Sequence, residues 1–196
     1  MNLRLSMQPL LDTIKATLSK SKVEKLAAIA SDETFSVKDL IDLSFHHDEQ
    51  IGFRSAWILE NVYSHHQERF LPYVHYFLER FSTQNNLSAL RHYVKILAFM
   101  TGKNAPSEIK EIISDCDTDK IVEVVFAWLI DEKIPVAVKS HCLNILANLI
   151  PKHGWIKDEL IQTMNFLIDK ESIAFFARVK QIRKQLSVSS SSFSVS

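Results

Sequence analysis

The side chains of this chain best equipped for chemistry are its histidines, and two adjacent pairs invite a metal hypothesis: His46-His47 and His65-His66. Imidazole nitrogens hold zinc and related ions only when three or four ligands converge on one point. Apolar residues recur at helical spacing in "SVKDLIDLSF", before the first pair, and in "RSAWILENV", before the second. The pairs therefore end two successive antiparallel helices, at opposite ends of the hairpin and roughly a helix length of 20 Å apart. One ion does not span that distance. The four histidines read as solvated turn residues, and neither a metal nor a cofactor is expected.

The remaining reactive groups are just as dispersed. No Ser-His-Asp, Cys-His or Gly-rich constellation stands at useful spacing, although folding could still assemble a site from distant positions. Cys116 and Cys142 lie in helical patterns with no Cys-x-x-Cys partner. They read as buried thiols of a reducing compartment, with the cytoplasm as the expected location.

Binding chemistry has better candidates. The aromatic group around "ERFLPYVHYFLERF" divides by helical phase, with Phe70, Val74, Phe77 and Phe81 forming a core stripe. Tyr73, Tyr76 and Arg80 fall on another face, and tyrosines beside an arginine are the residue types that dominate binding hot spots. The bland alternative is that they pack on the adjacent hairpin. A basic ladder of Arg54, Arg91, Lys139 and Arg178 is expected to pair with turn carboxylates such as Asp48 and Asp169. It could otherwise offer cations to an acidic partner. Trp57, beside Arg54, completes the set of candidate binding residues.

These residues must be positioned by repeated helical hairpins. An Ile-Leu pair recurs at Ile58-Leu59, Ile96-Leu97 and Ile145-Leu146, with Arg54, Arg91 and Lys139 four to six residues ahead. A weaker fourth copy is "ARVKQIRKQL". Each copy follows another amphipathic stretch: "SVKDLIDLSF", "ERFLPYVHYFLERF", "IVEVVFAWLI" or "WIKDELIQTMNFLI". The unit is helix, polar turn, helix, about four times over. The second interval exceeds the first, and the surplus falls on 104–117, which reads as one additional short helix. Ser36 with Asp39 forms a capping-box pattern. Pro106 and Pro135 stand at helix entries, Pro72 falls in the first turn of "ERFLPYV", and Pro151 follows the end of "LNILANLI". Residues 6–32 read as one or two helices capping the first hairpin. The last ten residues, "SVSSSSFSVS", read as a disordered tail.

Composition agrees with this plan. Only three glycines occur, too few for the turns of a β-sandwich or barrel. Lysine plus arginine equals aspartate plus glutamate at 23 each, so the basic excess of a general nucleic-acid binder is missing. The N-terminus carries no apolar run of signal-peptide length, and no stretch approaches the roughly 18 apolar residues of a membrane span. Charge is nevertheless segregated. Glu108, Glu111, Asp115, Asp117, Asp119 and Glu123 contrast with Arg178, Lys180, Arg183 and Lys184 on the last helix. Solvated faces explain each half, and otherwise they would orient a protein partner.

The segments "ERFLPYVHYFLERFSTQNNLSALRHYVKIL" and "DEKIPVAVKSHCLNILANL" resemble HEAT repeats, with a Leu-Pro pair in the first helix and a basic residue opening the second. The resemblance covers residues 36–186. "RSAWILENV", "AVKSHCLNIL" and "IAFFARVKQI" look more narrowly like a group of short bacterial HEAT-like proteins, some of which bear the name adenylosuccinate lyase. The serine run Ser189 to Ser192 lacks the Met-Pro-x-Lys-x-Asn continuation that resembles the mobile loop of such lyases. Trp128 with Asp131 and Glu132 is similar to the aromatic and carboxylate combination of HEAT-like alkylpurine DNA glycosylases. Core packing is the alternative role for Trp128, and the nearby acidic segment would repel DNA phosphate.

The expected fold is thus all-α, an α-α superhelix of about four HEAT-like hairpins over residues 1–186. Residues 1–35 form its cap, 36–186 its repeats and 187–196 its tail. The expected function is a non-catalytic scaffold or adaptor for a protein partner, without nucleic acid or membrane. The enzyme alternatives are a DNA glycosylase or, through the family label, adenylosuccinate lyase.

Overall fold

A computed structural model describes residues 3–16, 19–28 and 35–191, and every regular element among them is a helix. In chain order these are α1 (Leu3–Lys15), α2 (Lys20–Ala28), α3 (Val37–Leu43), α4 (Glu49–His65) and α5 (Gln67–Phe70). A 3-10 turn (Leu71–Tyr73) follows, then α6 (Val74–Phe81), α7 (Leu87–Met100) and α8 (Ser107–Asp115). The chain ends with α9 (Asp119–Ile130), α10 (Val136–Leu149), α11 (Ile156–Leu167) and α12 (Ile173–Ser191). The expected helix-turn-helix repetition is present, and the surplus segment forms α8. The chain divides into two compact units, 1–96 and 97–196, with the boundary inside α7.

In the first unit the turns are written in the sequence. The Ser36 hydroxyl accepts from the Asp39 amide, and the Asp39 carboxylate accepts from the Ser36 amide, a complete capping box for α3. Asp48 caps α4 by accepting from the amides of Gln50 and Ile51. Asn86 caps α7 in the same way through Ser88 and Ala89. The segment expected as one helix, "ERFLPYVHYFLERF", is instead broken into α5, the 3-10 turn and α6. Pro72 has no amide proton, and its ring opposes the carbonyl four residues back, so the helix tightens and restarts at Val74.

The predicted aromatic stripe is the core of this unit. Phe70, Val74, Phe77 and Phe81 are wholly buried. Tyr93 of α7 stacks on Phe77 at 4.9 Å, and Tyr63 of α4 meets Phe70 edge-on at 5.2 Å. Each fully buried apolar side chain of this size contributes roughly 1.5–3 kcal/mol. The Tyr93 hydroxyl shares a hydrogen bond of 2.5 Å with the buried Ser44 hydroxyl, so the core tyrosine keeps a polar partner.

In the second unit Pro106 and Pro135 occupy the N-caps of α8 and α10, and Pro151 follows the end of α10. α10 is the central helix. It packs against α9, α11 and α12, and Val138, Cys142, Leu143, Ile145 and Leu146 along it are buried. Phe175, Val179 and Ile182 of α12 are buried by the same packing.

Three further expectations are corrected. Trp128 is half-buried, not a core residue. Cys116, at the C-cap of α8, is half-buried, whereas Cys142 is fully buried; no disulfide joins them. The expected tail begins inside a helix, because α12 runs to Ser191 and the Ser187 hydroxyl donates to the Lys184 carbonyl within it. The remainder of that tail, 192–196, lies outside the described residues, as does 29–34 from the expected cap.

Candidate functional site

The basic ladder is spent largely on the fold. In the first unit one guanidinium nitrogen of Arg54, Nη1, donates to the carbonyls of Ile14, Lys15 and Ala16, where α1 ends. A helix C-terminus carries partial negative charge and unsatisfied carbonyls, which a cation neutralises. Lys139, in the second unit, is 1% exposed and paired with Glu171. The partner is Glu171, two residues beyond the expected Asp169, and Arg54 meets backbone carbonyls where a carboxylate such as Asp48 was expected. Arg178 donates to Gln181 on its own helix at 2.9 Å, and Arg91 is exposed. Sequence reading missed Lys152, which donates to the carbonyls of Ile113, Ser114 and Cys116 and so closes α8.

The tyrosine and arginine face of α6 also packs inward. The Tyr76 hydroxyl donates to Asp42, and Lys38 lies 4.5 Å from the Tyr76 ring centroid. The hydrogen bond to Asp42, and burial, hold the Tyr76 phenol above its ordinary pKa. Arg80 stacks its guanidinium 4.2 Å from the Phe45 ring centroid. Tyr73 is half-buried, as is Trp57, which stacks on Phe53 at 6.1 Å. The Tyr76 and Arg80 contacts are the adjacent-hairpin packing weighed against the binding reading, whereas Phe53 and Trp57 share α4.

The two histidine pairs flank α4 from opposite ends. The His46 and His47 rings lie 4.1 Å apart, and burial, followed by the neighbouring His47, holds His46 below its ordinary pKa. Among the described residues no three His, Cys, Asp or Glu side chains are grouped to hold a metal ion. None of their helices is long and apolar enough to cross a membrane.

A polar cluster that sequence reading missed joins α4 to α7. The Glu60 carboxylate receives His92 Nδ1 through one oxygen and Lys95 Nζ through the other, both at 2.5 Å. Glu60 sits at the centre of a carboxylate-imidazole dyad of the kind general bases use. The second ring nitrogen of His92, Nε2, is buried without a hydrogen-bond partner among the described residues.

An open arrangement of aromatic and charged groups lies on α9 and α11. Trp155, at the N-cap of α11, is 56% exposed and stacks on Phe126 of α9, with ring centroids 5.9 Å apart and planes 24° from parallel. The pair lines a depression of about 770 Å³ whose charged residues are Asp117, Asp119, Glu123 and Glu159, with Lys120 as its cation. Glu123 and Phe126 are three residues apart on α9, and Trp155 and Glu159 four apart, so each pair shares a helix face. That spacing was visible in the sequence; the meeting of the two faces was not. His153 holds one edge, bonded to Thr118 at 2.6 Å and lying 3.5 Å from Asp119.

A second cavity of about 1110 Å³ in the same unit is lined by Met100, Ile113 and Leu149, with Lys103, Lys110, Lys152 and Lys157 beside them. Two of these lysines are committed to the backbone: Lys110 bonds the Lys103 carbonyl, and Lys152 the end of α8.

Comparison with known families agrees with the hairpin architecture. The family model for the HEAT repeat domain matches residues 10–186. The chain belongs to the HEAT repeat domain family. No curated protein and no solved structure matches it. The match begins at Leu10, inside α1, so the HEAT repeat domain takes in the segment read from sequence as a cap. It ends at Leu186 within α12. In this HEAT repeat protein two of the four ladder cations, Arg54 and Lys139, serve neighbouring hairpins within their own units.

Proposed function

We propose that this HEAT repeat protein is a non-catalytic binding module that holds another protein. The observation that carries the reading is the set of large apolar side chains left in solvent on the second unit. Ile130 is 53% exposed, Trp155 56%, Phe166 58%, Ile173 89% and Phe176 48%. Large apolar side chains are unfavourable in water, and a partner that covers them recovers that cost. Helical repeats suit this task because their rigid hairpins hold surface residues in place without further ordering cost on binding.

The glycosylase alternative finds less support. Trp128 is half-buried, and the carboxylates between Glu108 and Glu123 disfavour a phosphate backbone. The two thiols fit a reducing compartment, and with it the cytoplasm.

The test is affinity capture from native extract, followed by reconstitution with purified components. A protein recovered in stoichiometric amount, which binds the purified chain again, supports the module. Recovery of no protein overturns it.

A further inference from the structure

We infer that the stacked pair Phe126 and Trp155 is a docking platform for a basic segment of a protein partner, one that presents arginine or lysine side chains. This inference rests on the protein-binding reading and specifies the partner's chemistry.

Trp155 is the centre of the argument. The indole is more than half exposed although it packs on Phe126 and lies edge-on to His153, with ring centroids 6.5 Å apart. Its stack on Phe126 holds it in a defined orientation beside the depression. An exposed aromatic face attracts cations through its quadrupole, and guanidinium groups most of all because they also stack.

The surrounding charge selects the same class of ligand. Glu123 lies one turn before Phe126 and Glu159 one turn after Trp155, and Asp117 and Asp119 line the same depression with a single lysine, Lys120. Asp119 is partly engaged by His153, whereas its side chain remains 77% exposed. Carboxylates around an aromatic surface favour cations and repel phosphates, so a basic peptide segment fits where nucleic acid or an anionic lipid surface would not. The depression, at about 770 Å³, has the volume of several side chains.

The experiment uses the full chain and a capped hexa-arginine peptide as probe, with capped hexaglutamate as control. Binding is measured by calorimetry and located by amide chemical shifts. Hexa-arginine is expected to bind, shifting resonances of 117–126 and 153–159, and to weaken about tenfold as salt rises from roughly 50 to 300 mM. The double variant Glu123→Gln with Glu159→Gln is expected to weaken binding about tenfold, and Trp155→Ala roughly fivefold. Hexaglutamate is expected not to bind. All three positions are at the surface, so the variants should keep the wild-type circular dichroism; the glutamine pair still decides the matter if Trp155→Ala does not fold.

Equal affinity in the wild type and the variants, or shifts confined to other residues, overturns the platform. A captured partner that binds every variant as tightly as the wild type also overturns it, and leaves the binding module standing. Failure to capture any partner overturns the module itself, whatever the peptide does.

Discussion

Lys139 and Glu171 form an ion pair inside the second unit, where the lysine side chain is 1% exposed and the glutamate 13%. One stands in the first turn of α10 and the other in the turn that precedes α12, so the pair ties consecutive hairpins. Removing one partner strands a buried charge, while replacing both with apolar groups removes the desolvation cost with it. Lys139→Met is therefore expected to lose roughly 3–5 kcal/mol in urea unfolding. Adding Glu171→Leu should recover most of that loss. A single variant with the wild-type midpoint would show that the pair contributes nothing.

Gly52 of α4 tests how closely the hairpins approach. A methyl group there would lie 2.9 Å from Asn86 Nδ2 and 3.0 Å from the Ser44 carbonyl oxygen. Helix propensity alone predicts that Gly52→Ala gains about 1 kcal/mol. The Ser44 contact is with backbone, which cannot swing aside, so the expected outcome is a net loss of roughly 1–3 kcal/mol by overpacking. Thermal melting distinguishes the two signs.

Glu60 should make stability depend on pH. Burial pushes its carboxyl upward, but the hydrogen bonds from His92 and Lys95 prevail and hold it below the ordinary 4.5. A depressed carboxylate stabilises the folded state above its unfolded pKa, and that contribution is lost as pH falls through the folded value. The urea midpoint of the wild type should therefore drop more than that of Glu60→Gln as pH is lowered from 5 through the range below 4.5. Parallel decline of the two proteins would reject the assignment.

The two cysteines should separate kinetically. Cys142 is wholly buried, and burial raises its thiol well above the ordinary range, so little thiolate forms and no reagent reaches it. Cys116 is only half-buried. Titration with a thiol reagent is expected to modify Cys116 in the folded chain and Cys142 only in denaturant. Modification of both at one rate would contradict the packing of α10.

Much of this architecture was legible in the sequence because its signals are local. The Phe70, Val74, Phe77 and Phe81 stripe, the Ser36 capping box and the prolines at 106 and 135 each depend on residues within one or two turns. What escaped depends on distance. Lys152 reaches the end of α8 from 36 residues beyond Cys116, and Glu60 meets His92 at a separation of 32. No periodicity reports such pairs, since they arise only when hairpins are laid side by side. Pro72 was legible as punctuation, but whether it opens a helix or breaks one turns on how far helix extends ahead of it. Of the candidate binding residues, Tyr76, Arg80 and Lys139 carry sensible residue types for recognition and are held by intramolecular partners. The platform at Trp155 was overlooked because its two halves lie on different helices.

None of the three tryptophans belongs to the fully buried interior: Trp57 and Trp128 are half-buried, and Trp155 faces solvent. Tyrosine and phenylalanine fill the aromatic interior instead. The native indole emission of this protein would thus carry a solvated component from Trp155, and denaturation would redden chiefly the share of Trp57 and Trp128. Whatever settles over Trp155 would move the spectrum the other way, toward the blue, so one lamp separates covering of the surface from loss of the interior.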